Sequence, residues 1–238
     1  NGCLPKGNNN YGKDASEGGY KAIPAPGVND SGRTARVLTG TGPVSWSHDG
    51  TLEGIWDLNG NIWEWNGGSR TVKGELQVLV NNNAADLDHS QAASSAQWKA
   101  IDATTGAYIT PNGSGTTANS IKLDWVSGKI TYSATITTQA DASRDCAFAS
   151  VTCASSVSAA AQAVLKALAF LPASATASEY EDDHMWMNNG AAERAFCSGG
   201  DWNDGASAGL FALLGHNPRS YSEWSLGFRS AYVDLPTE

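Results

Sequence analysis

The sequence predicts an α+β fold in which several short strands and one helix are joined by long loops. Short alternating segments separated by turn residues predict the strands, and one Ala-rich segment with helical spacing predicts the helix. The 26 glycines and a charged fraction of only 16% are typical of a loop-rich domain with tight turns and disfavour a helical bundle. With 41% hydrophobic residues, the 238-residue chain can bury a sizeable core.

Three segments carry the strand signal. Residues 62–65 (IWEW) follow the turn-rich residues 57–61 (DLNGN) and predict a short strand. Residues 71–80 (TVKGELQVLV) predict a second strand. Residues 120–138 predict a hairpin, because two alternating runs flank the Ser-Gly pair at 127–128.

Residues 159–171 predict the one clear helix, since they are Ala-rich and their apolar side chains recur at three- and four-residue spacing. Pro172 is expected to end the helix, and one of the serines at 155–158 is expected to cap its N-terminus. The same run is the longest apolar-rich stretch, but it contains Gln162 and Lys166 and is too short to cross a bilayer.

The charge balance is acidic. Lys and Arg together number 15, Asp and Glu together number 24, and the formal net charge is −9. A chain with this balance and no basic cluster is poorly suited to a phosphate backbone or to an anionic membrane surface. We therefore expect neither nucleic acid nor a membrane as a partner.

Four cysteines are spread along the chain, at Cys3, Cys146, Cys153 and Cys197. No CxxC pair occurs and the four histidines are scattered, so a structural zinc site is not expected. Cys146 and Cys153 could close a short loop by a disulfide if the protein works outside a cell. Free thiols are the equal alternative.

The turn at 57–61 places Asp57, Asn59 and Asn61 at alternate positions, as at the start of a calcium loop. The EF-hand interpretation fails, because Ile62 and Gly68 occupy the positions that require glycine and glutamate. A tight turn capped by side chains is the favoured interpretation, and a structural calcium ion held by backbone oxygens stays open. No other cofactor is expected.

The acidic run Glu179, Glu181, Asp182 and Asp183 is expected to lie in a solvated loop and not to act in acid–base catalysis. His184 could ligate a metal with a neighbouring aspartate, but no second histidine lies four residues away. No nucleophile elbow, phosphate-binding loop or dinucleotide motif occurs. The chain shows no catalytic constellation, and we expect it not to be an enzyme.

Two segments carry a resemblance to a known family: GIWDLNGNIWEWNGG, at residues 54–68, and the C-terminal frame GG-x-W…GLF…NPRS…LGFRSA. In these segments the chain resembles proteins with the C-type lectin fold of the formylglycine-generating-enzyme (sulfatase-modifying factor) type. More closely, it resembles the variable proteins of diversity-generating retroelements carried by bacteriophages of gut bacteria. The resemblance implies a single ligand-binding domain over residues 1–238, with an insert at about 74–176 and a variable region at about 199–230.

In that family the fold is a rigid scaffold for display. Error-prone reverse transcription at template adenines rewrites selected codons near the 3′ end of the gene, and Asn codons are the favoured targets. The resemblance implies thirteen diversified, ligand-binding positions between the framework residues. They are Asp201, Asn203, Asp204, Ala206, Ser207, Ala212, Leu214, His216, Asn217, Tyr221, Glu223, Trp224 and Ser225.

All of these positions except Glu223 and Trp224 can be reached from an Asn codon by changes at adenines alone. Because diversified side chains cannot take part in the core, we expect them to cluster on one exposed face. Tyr221 and Trp224 are the expected binding hot spots, since Tyr and Trp are enriched at such positions.

The framework residues around the diversified positions have expected structural roles. Trp202 and Phe228 are expected to be buried. Arg219 and Arg229 are expected to hydrogen-bond loop carbonyls through their several donors.

The resemblance implies a binding protein: a receptor-binding component of a phage tail tip or tail fibre that attaches to a bacterial surface protein or glycan. It would act outside the cell on the virion, as a homotrimer if it belongs to a fibre, and a bacterial cell surface is the alternative location. A formylglycine-generating-type oxidase and a carbohydrate-binding lectin of fixed specificity are the alternative functions. No cysteine follows Cys197, which disfavours the oxidase, because that enzyme branch uses a cysteine pair near the C-terminus.

Overall fold

The computed structural model of the chain describes residues 4–18, 22–174 and 176–230. Within these ranges the secondary structure is mostly β-strand, with one α-helix and long loops, which confirms the α+β class. The strands are β1 (Asn29–Asp30), β2 (Arg33–Thr34), β3 (Trp63–Val72), β4 (Glu75–Leu79), β5 (Trp98–Ile101), β6 (Tyr108–Ile109), β7 (Lys122–Val126), β8 (Lys129–Ser133), β9 (Arg144–Ala147), β10 (Thr152–Cys153), β11 (His184–Met187), β12 (Arg194–Gly199), β13 (Gly209–Asn217) and β14 (Leu226–Gly227). The α-helix is α1 (Ala159–Ala167), and 3-10 turns occupy Val44–Trp46, Val80–Asn82, Phe148–Ser150, Ala177–Glu179 and Gly205–Ser207.

Twelve of the described strands form one mixed sheet in the order β10-β8-β7-β4-β3-β12-β13-β11-β9, with β14 beside β3 and with β5 and β6 beside β4. The pairs β10–β8, β11–β13 and β14–β3 are parallel, and the other pairs are antiparallel. Strands β3, β12 and β13 lie at the centre of this order. The C-terminal frame is therefore built into the middle of the sheet.

The predicted hairpin is confirmed, because β7 and β8 are joined by Ser127 and Gly128, which both have positive φ. The single strand predicted at 71–80 is wrong. Lys73 (φ 47°) and Gly74 (φ 84°) form a second two-residue turn of the same kind, which separates β3 from β4. The strand predicted at 62–65 does exist, but it begins at Trp63 and continues to Val72 as β3.

Helix α1 begins where it was predicted and ends earlier. Ser158 caps its N-terminus and accepts a hydrogen bond from the Ala161 backbone N–H. The helix ends at Ala167, four residues before the predicted end at 171. Ala169 has a left-handed φ of 57°, and the following Phe170 N–H donates to the Leu165 carbonyl at 2.9 Å. This is the hydrogen-bond pattern of a Schellman motif, with alanine where glycine is usual.

One large buried cluster spans the predicted insert and the rest of the chain. It includes Leu123 and Leu165 from residues 74–176 and Phe196 and Leu213 from outside them. Val164 and Leu168 of the helix segment pack against the same cluster. The helix therefore covers one face of the sheet by burying its apolar side, as its spacing predicts.

Buried asparagine side chains join the N-terminal segment to the turn that precedes β3. This asparagine network consists of Asn8, Asn9, Asn59 and Asn61, each at most 5% exposed. The Asn9 side-chain amide donates to Asn59 Oδ1 at 3.2 Å, and Asn61 Oδ1 accepts from the Asn8 amide at 3.3 Å. Each asparagine side chain is thus paired in the interior, which removes the cost of burying a polar amide.

Gly60 allows these segments to approach each other. Its φ is 73°, and a Cβ there would lie 2.3 Å from the Asn8 carbonyl oxygen. Its N–H donates to the Gly199 carbonyl at 2.8 Å, which ties the turn to the end of β12. The side chains of Asn59 and Asn61 therefore bond to distant segments of the chain and do not cap their own turn, as the favoured interpretation had them do.

The left-handed alanine gives a test of the helix end. We expect Ala169→Gly to raise the free energy of unfolding by up to about 1 kcal/mol, because glycine adopts this φ without strain. The matched control is Ala163→Gly in the exposed interior of α1, which should lower it by about 1 kcal/mol. Urea unfolding of both variants measures the difference. A lower stability of Ala169→Gly would show that Ala169 is not strained.

Candidate ligand-binding site

The candidate positions come from three chain segments: the loop after β12, strand β13, and the loop after β13. Side chains of β13 alternate between the two sheet faces. Phe211 and Leu213 face the large core that α1 covers, whereas Ala212 and Leu214 belong to a smaller cluster with Trp63 and Cys197. The candidate positions Ala212 and Leu214 of β13 are therefore on the face opposite the helix.

Seven of the thirteen candidate positions line one open pocket of about 210 Å³ on this face. We call it the aromatic–acid pocket. Three further side chains complete its lining, and none of them was a predicted site residue. The ten lining residues are Asp201, Asp204, Leu214, His216, Asn217, Tyr221, Ser225, Trp63, Trp186 and Leu226.

Two tryptophans form the apolar wall of the aromatic–acid pocket. The rings of Trp63 and Trp186 meet edge to face, with centroids 5.4 Å apart at 88°. Strand pairing places them, because Trp186 is in register with Leu214 on the parallel pair β11–β13. Trp63 is in register with Leu226 on the parallel pair β3–β14. Tyr221 is exposed at the pocket and free to contact a ligand.

Two aspartates give the aromatic–acid pocket its charge. Asp201 accepts a hydrogen bond from the Asn203 N–H, and Asp204 accepts one from the Asp201 N–H at 2.7 Å. Burial and, after it, the charge of the neighbouring Asp204 carboxylate raise the pKa of Asp201 to about 7. Burial also raises the pKa of Asp204, which the Asp201 N–H and the Trp63 side chain partly offset.

His216 lies beside these acids on β13. Its Nδ1 is 2.8 Å from the Ser143 hydroxyl. Burial lowers the pKa of His216, and the nearby positive charge of Arg194 lowers it further. The imidazole is therefore neutral at neutral pH and adds a hydrogen-bonding group rather than a charge to the pocket.

The loop that carries Asp201 and Asp204 is held at both ends by backbone hydrogen bonds. The Gly199 carbonyl accepts from Gly60, and the Gly205 N–H donates to the Asn9 carbonyl at 2.9 Å. Between these points Trp202 is 2% exposed and anchors the loop in the protein. The ends of the loop are thus held by residues other than the candidate side chains, whereas the Asp201 and Asp204 carboxylates bond the backbone within it.

The remaining six candidate positions lie outside the pocket lining. Asn203, Ala206, Glu223 and Trp224 are exposed, Ser207 is half-buried and Ala212 is buried. The Trp224 ring packs on Trp202 with centroids 4.8 Å apart. Ala206 lines a different cavity of about 310 Å³, beside Lys6 and Glu181.

The expectation that all thirteen positions are surface positions needs correction. Asp201, Ala212, Leu214 and Asn217 are buried, because β13 lies inside the sheet and the loop after β12 folds over it. Leu214 packs in the smaller cluster while lining the pocket, so it contributes to both. A substitution at such a position has to preserve packing.

The framework expectations hold for one aromatic residue and fail for the other. Trp202 is buried, whereas Phe228 is 78% exposed, because the chain after β14 runs along the surface. Arg229 donates to the carbonyls of Trp56 and Asp57, as predicted, and also makes a bidentate ion pair with Glu64 at 2.6 Å.

The prediction that Arg219 hydrogen-bonds a loop carbonyl is wrong. It forms an ion pair with the Glu193 carboxylate at 2.9 Å, and Arg70 binds the same carboxylate at 2.8 Å. The pKa of Glu193 is lowered by these hydrogen bonds, chiefly that of Arg219. Glu193 is thus a charged junction between β3 and the segment after β13.

Cys146 and Cys153 are both free thiols in this structure. Of the two alternatives for this pair, the disulfide is therefore wrong. Cys146 belongs to β9, where its Sγ accepts from the Ile130 N–H, while Cys153 pairs with Tyr132 from β10. Burial raises the pKa of Cys153 to about 11 and that of Cys197 to about 12. Cys3 lies outside the described residues.

The prediction that the whole acidic run at 179–183 is solvated is wrong. Asp183 is 1% exposed, and its Oδ2 accepts from the Phe211 N–H at 2.7 Å. Burial raises the pKa of Asp183 to about 7. His184 does not meet Asp182 or Asp183 as a metal ligand pair, because its Nδ1 lies 2.9 Å from Asp145 Oδ2.

The side-chain oxygens of Asn59 and Asn61 accept hydrogen bonds from protein donors, which disfavours them as calcium ligands. A calcium ion held by backbone oxygens stays a prediction. No group of three or more His, Cys, Asp or Glu side chains within the described ranges could hold a metal ion. In the same ranges, no helix has the length and apolar character needed to cross a membrane.

Trp63, one of the three pocket residues that were not predicted, lies in the segment 62–65, whose aromatic residues predict a strand but not a site. Trp186 and Leu226 are placed by parallel pairing between strands that are far apart in the chain, and spacing does not predict such pairing.

Comparison with known proteins gives no family for this chain: no family model matches it, and no curated protein matches it either.

Truncation variants separate the residues that stabilise the fold from those that are available to a ligand. Trp63→Ala and Trp202→Ala should each lower the free energy of unfolding by about 3–5 kcal/mol, because each leaves a large cavity. Tyr221→Ala and Phe228→Ala, both at exposed side chains, should change it by less than about 1 kcal/mol. Urea unfolding measures all four. If Tyr221→Ala were as destabilised as the tryptophan variants, Tyr221 would be a core-supporting residue.

Raised pKa values predict an unusual pH dependence of stability. The pKa of Asp201 is about 7 in the folded protein and 3.8 as the ordinary value, so between these pH values the folded state holds more protons than the unfolded state. The free energy of unfolding therefore falls as pH rises from about 4 to about 7, and Asp183 acts in the same direction. We expect melting temperature to be higher at pH 5 than at pH 8.

Substitution assigns this pH dependence to its source. Asp201→Asn removes the titration and should flatten the decline in melting temperature between pH 5 and pH 8. Asp88→Asn, at an exposed residue outside the pocket lining, is the charge-matched control and should keep the wild-type slope. An unchanged slope in Asp201→Asn would contradict the assignment.

Proposed function

We propose that the chain is a ligand-binding display protein whose binding surface is the aromatic–acid pocket and the exposed residues around it. The observation that carries the proposal is the convergence of seven candidate positions, spread over residues 201–225, on one pocket. These positions are the non-framework residues of the C-terminal frame, and a display surface requires such residues to lie together.

The scaffold supports display because its anchors are separate from most of the candidate side chains. The loop after β12 is held by backbone bonds from Gly60 and Asn9 and by the buried Trp202. Gly199 and Gly200 have φ of 98° and 88°, values that favour glycine. These features suit the C-type lectin fold of the formylglycine-generating-enzyme type and the variable proteins of retroelements, and we propose both assignments here.

The surface is suited to binding a macromolecular ligand rather than to catalysing a reaction. A pocket of about 210 Å³ with exposed aromatic and polar neighbours is an anchor site within a larger interface. We propose a bacterial surface protein or glycan as the ligand, and a phage tail tip or fibre, there as a trimer, as the setting. Cys197 opposes the oxidase alternative, because burial raises its pKa to about 12 and disfavours the reactive thiolate.

A pair of libraries tests the display function and separates it from a lectin of fixed specificity. The first library randomises Asn203, His216, Tyr221 and Ser225, and we expect most members to fold, because these side chains contribute little to packing. The matched control library randomises Trp202, Gly200, Ala208 and Phe196, which are buried or tightly approached. Folding is measured as surface display combined with protease resistance.

Members of the first library should also yield binders to a purified target protein, whereas the control library should yield none. If the first library folds as rarely as the control, the pocket residues are structural and the display function is wrong. If it folds well but binds no new targets, the surface has fixed specificity.

A further inference from the structure

We propose that the aromatic–acid pocket binds a cationic side chain, the ammonium of lysine or the guanidinium of arginine, projecting from a protein ligand. This inference rests on the proposed function and specifies the ligand chemistry of the same site. It is carried by an incompletely paired buried carboxylate, by aromatic walls and by the lack of a compensating cation in the pocket lining.

Asp201 is the central residue. It is 8% exposed and lines the pocket. Its Oδ1 accepts from the Asn203 N–H at 3.0 Å, and no hydrogen bond from the described residues reaches its Oδ2. Since Asp201 lines the pocket with one oxygen free of protein donors, a ligand can deliver a donor to it. An ammonium or guanidinium provides both the donor and the opposite charge.

The surrounding charges leave this part of the site negative. Asp204 lines the pocket with Asp201, and the charge of Asp30 on β1 also acts on Asp201. Arg33 is 3.9 Å from Asp30 but does not line the pocket. Among the ten lining residues there is no Lys or Arg. An incoming cation therefore meets two carboxylates that no lining cation neutralises.

The aromatic residues suit the same ligand. Trp63 and Trp186 contribute indole rings to the pocket, and Tyr221 lies at the pocket with its phenol ring partly exposed. Cations bind favourably over such rings, more so where water is excluded. The volume of about 210 Å³ is several times that of one water molecule, which takes about 30 Å³. It has room for a cationic head and part of its aliphatic stem, but not for a folded domain.

Binding of a cation is linked to protons. Asp201 and Asp204 have raised pKa values, so at low pH they are neutral and offer no charge. A bound cation favours their ionised forms, and protons are released on binding. His184 on β11 acts on Asp204, and His216 on β13 gains positive charge only at low pH. Deprotonation of Asp201, Asp204 and His216 in each case makes the pocket more negative, so affinity should rise from pH 5.5 to pH 8.

The test uses three small probes of matched shape: the Nα-acetyl N-methylamides of lysine, arginine and norleucine. Norleucine keeps the aliphatic stem and lacks the charge. Titration is followed by the NMR shifts of the tryptophan indole N–H groups at pH 5.5 and pH 8 in low salt. We expect lysine or arginine to bind about tenfold more tightly than norleucine at pH 8. Their affinity should fall several-fold at pH 5.5.

Asp201→Asn should abolish the preference for the charged probe, whereas Asp88→Asn, which removes a carboxylate outside the pocket lining, should retain it. The pH dependence of the wild-type protein gives the same information without relying on the folding of a variant. Equal affinity for norleucine and the charged probes, no saturation by either cation at pH 8, or a pH-independent affinity would each overturn the proposal. If this occurs while the pocket library still folds and yields binders, the display function stands and only the cation assignment fails.

Discussion

Asn9 connects three parts of the chain through hydrogen bonds of its buried side chain and its backbone carbonyl. Its amide donates to Asn59, its Oδ1 accepts from the Ala15 N–H, and its carbonyl accepts from Gly205. Because a buried amide is stable only when it is paired, the N-terminal segment, the turn before β3 and the loop after β12 have to be in place together. The aromatic–acid pocket depends on this pairing, since the loop that carries its two aspartates contains only one short 3-10 turn, Gly205–Ser207. A polar interior, rather than apolar packing alone, thus positions the candidate binding surface.

Local elements of the fold were predictable where the signal is contained in a few adjacent residues. The Ser-Gly turn at 127–128 and the Ser158 cap are of this kind, because backbone sterics and one short hydrogen bond determine them. The turn at Lys73 was missed, since lysine is not a typical residue at positive φ and the flanking run looks continuous. The helix end was missed for a similar reason, because Ala169 occupies a conformation that glycine normally signals. The asparagine network was not predictable, since polar residues in turns give no indication of which distant partner they meet.

The candidate site likewise has features that could be predicted from the sequence and features that could not. Positions around the pocket could be proposed from the residue frame of the C-terminal segment, and seven of them share the pocket. Their burial could not be predicted. Leu214, for example, becomes buried only when β12 and β11 pair with the two edges of β13. Trp186 enters the site through a parallel pairing that has no short-range signature. The raised pKa of Asp201 likewise depends on burial and on the charges of Asp204 and Asp30, so its chemistry emerges only in the folded protein.

Strands β13 and β14 are joined by residues 218–225, and both ends of this connection are fastened to the sheet. Arg229 adds a clamp just beyond it, through Glu64 and two carbonyls before β3. The entropy of closing a loop rises only with the logarithm of its length, about 0.6 kcal/mol for each doubling. Insertions in this connection therefore cost little, because the anchors that close it lie outside it. The rim of the pocket can vary in length and reach as well as in side-chain identity, so a deeper or more enclosing recognition surface is accessible on the same framework.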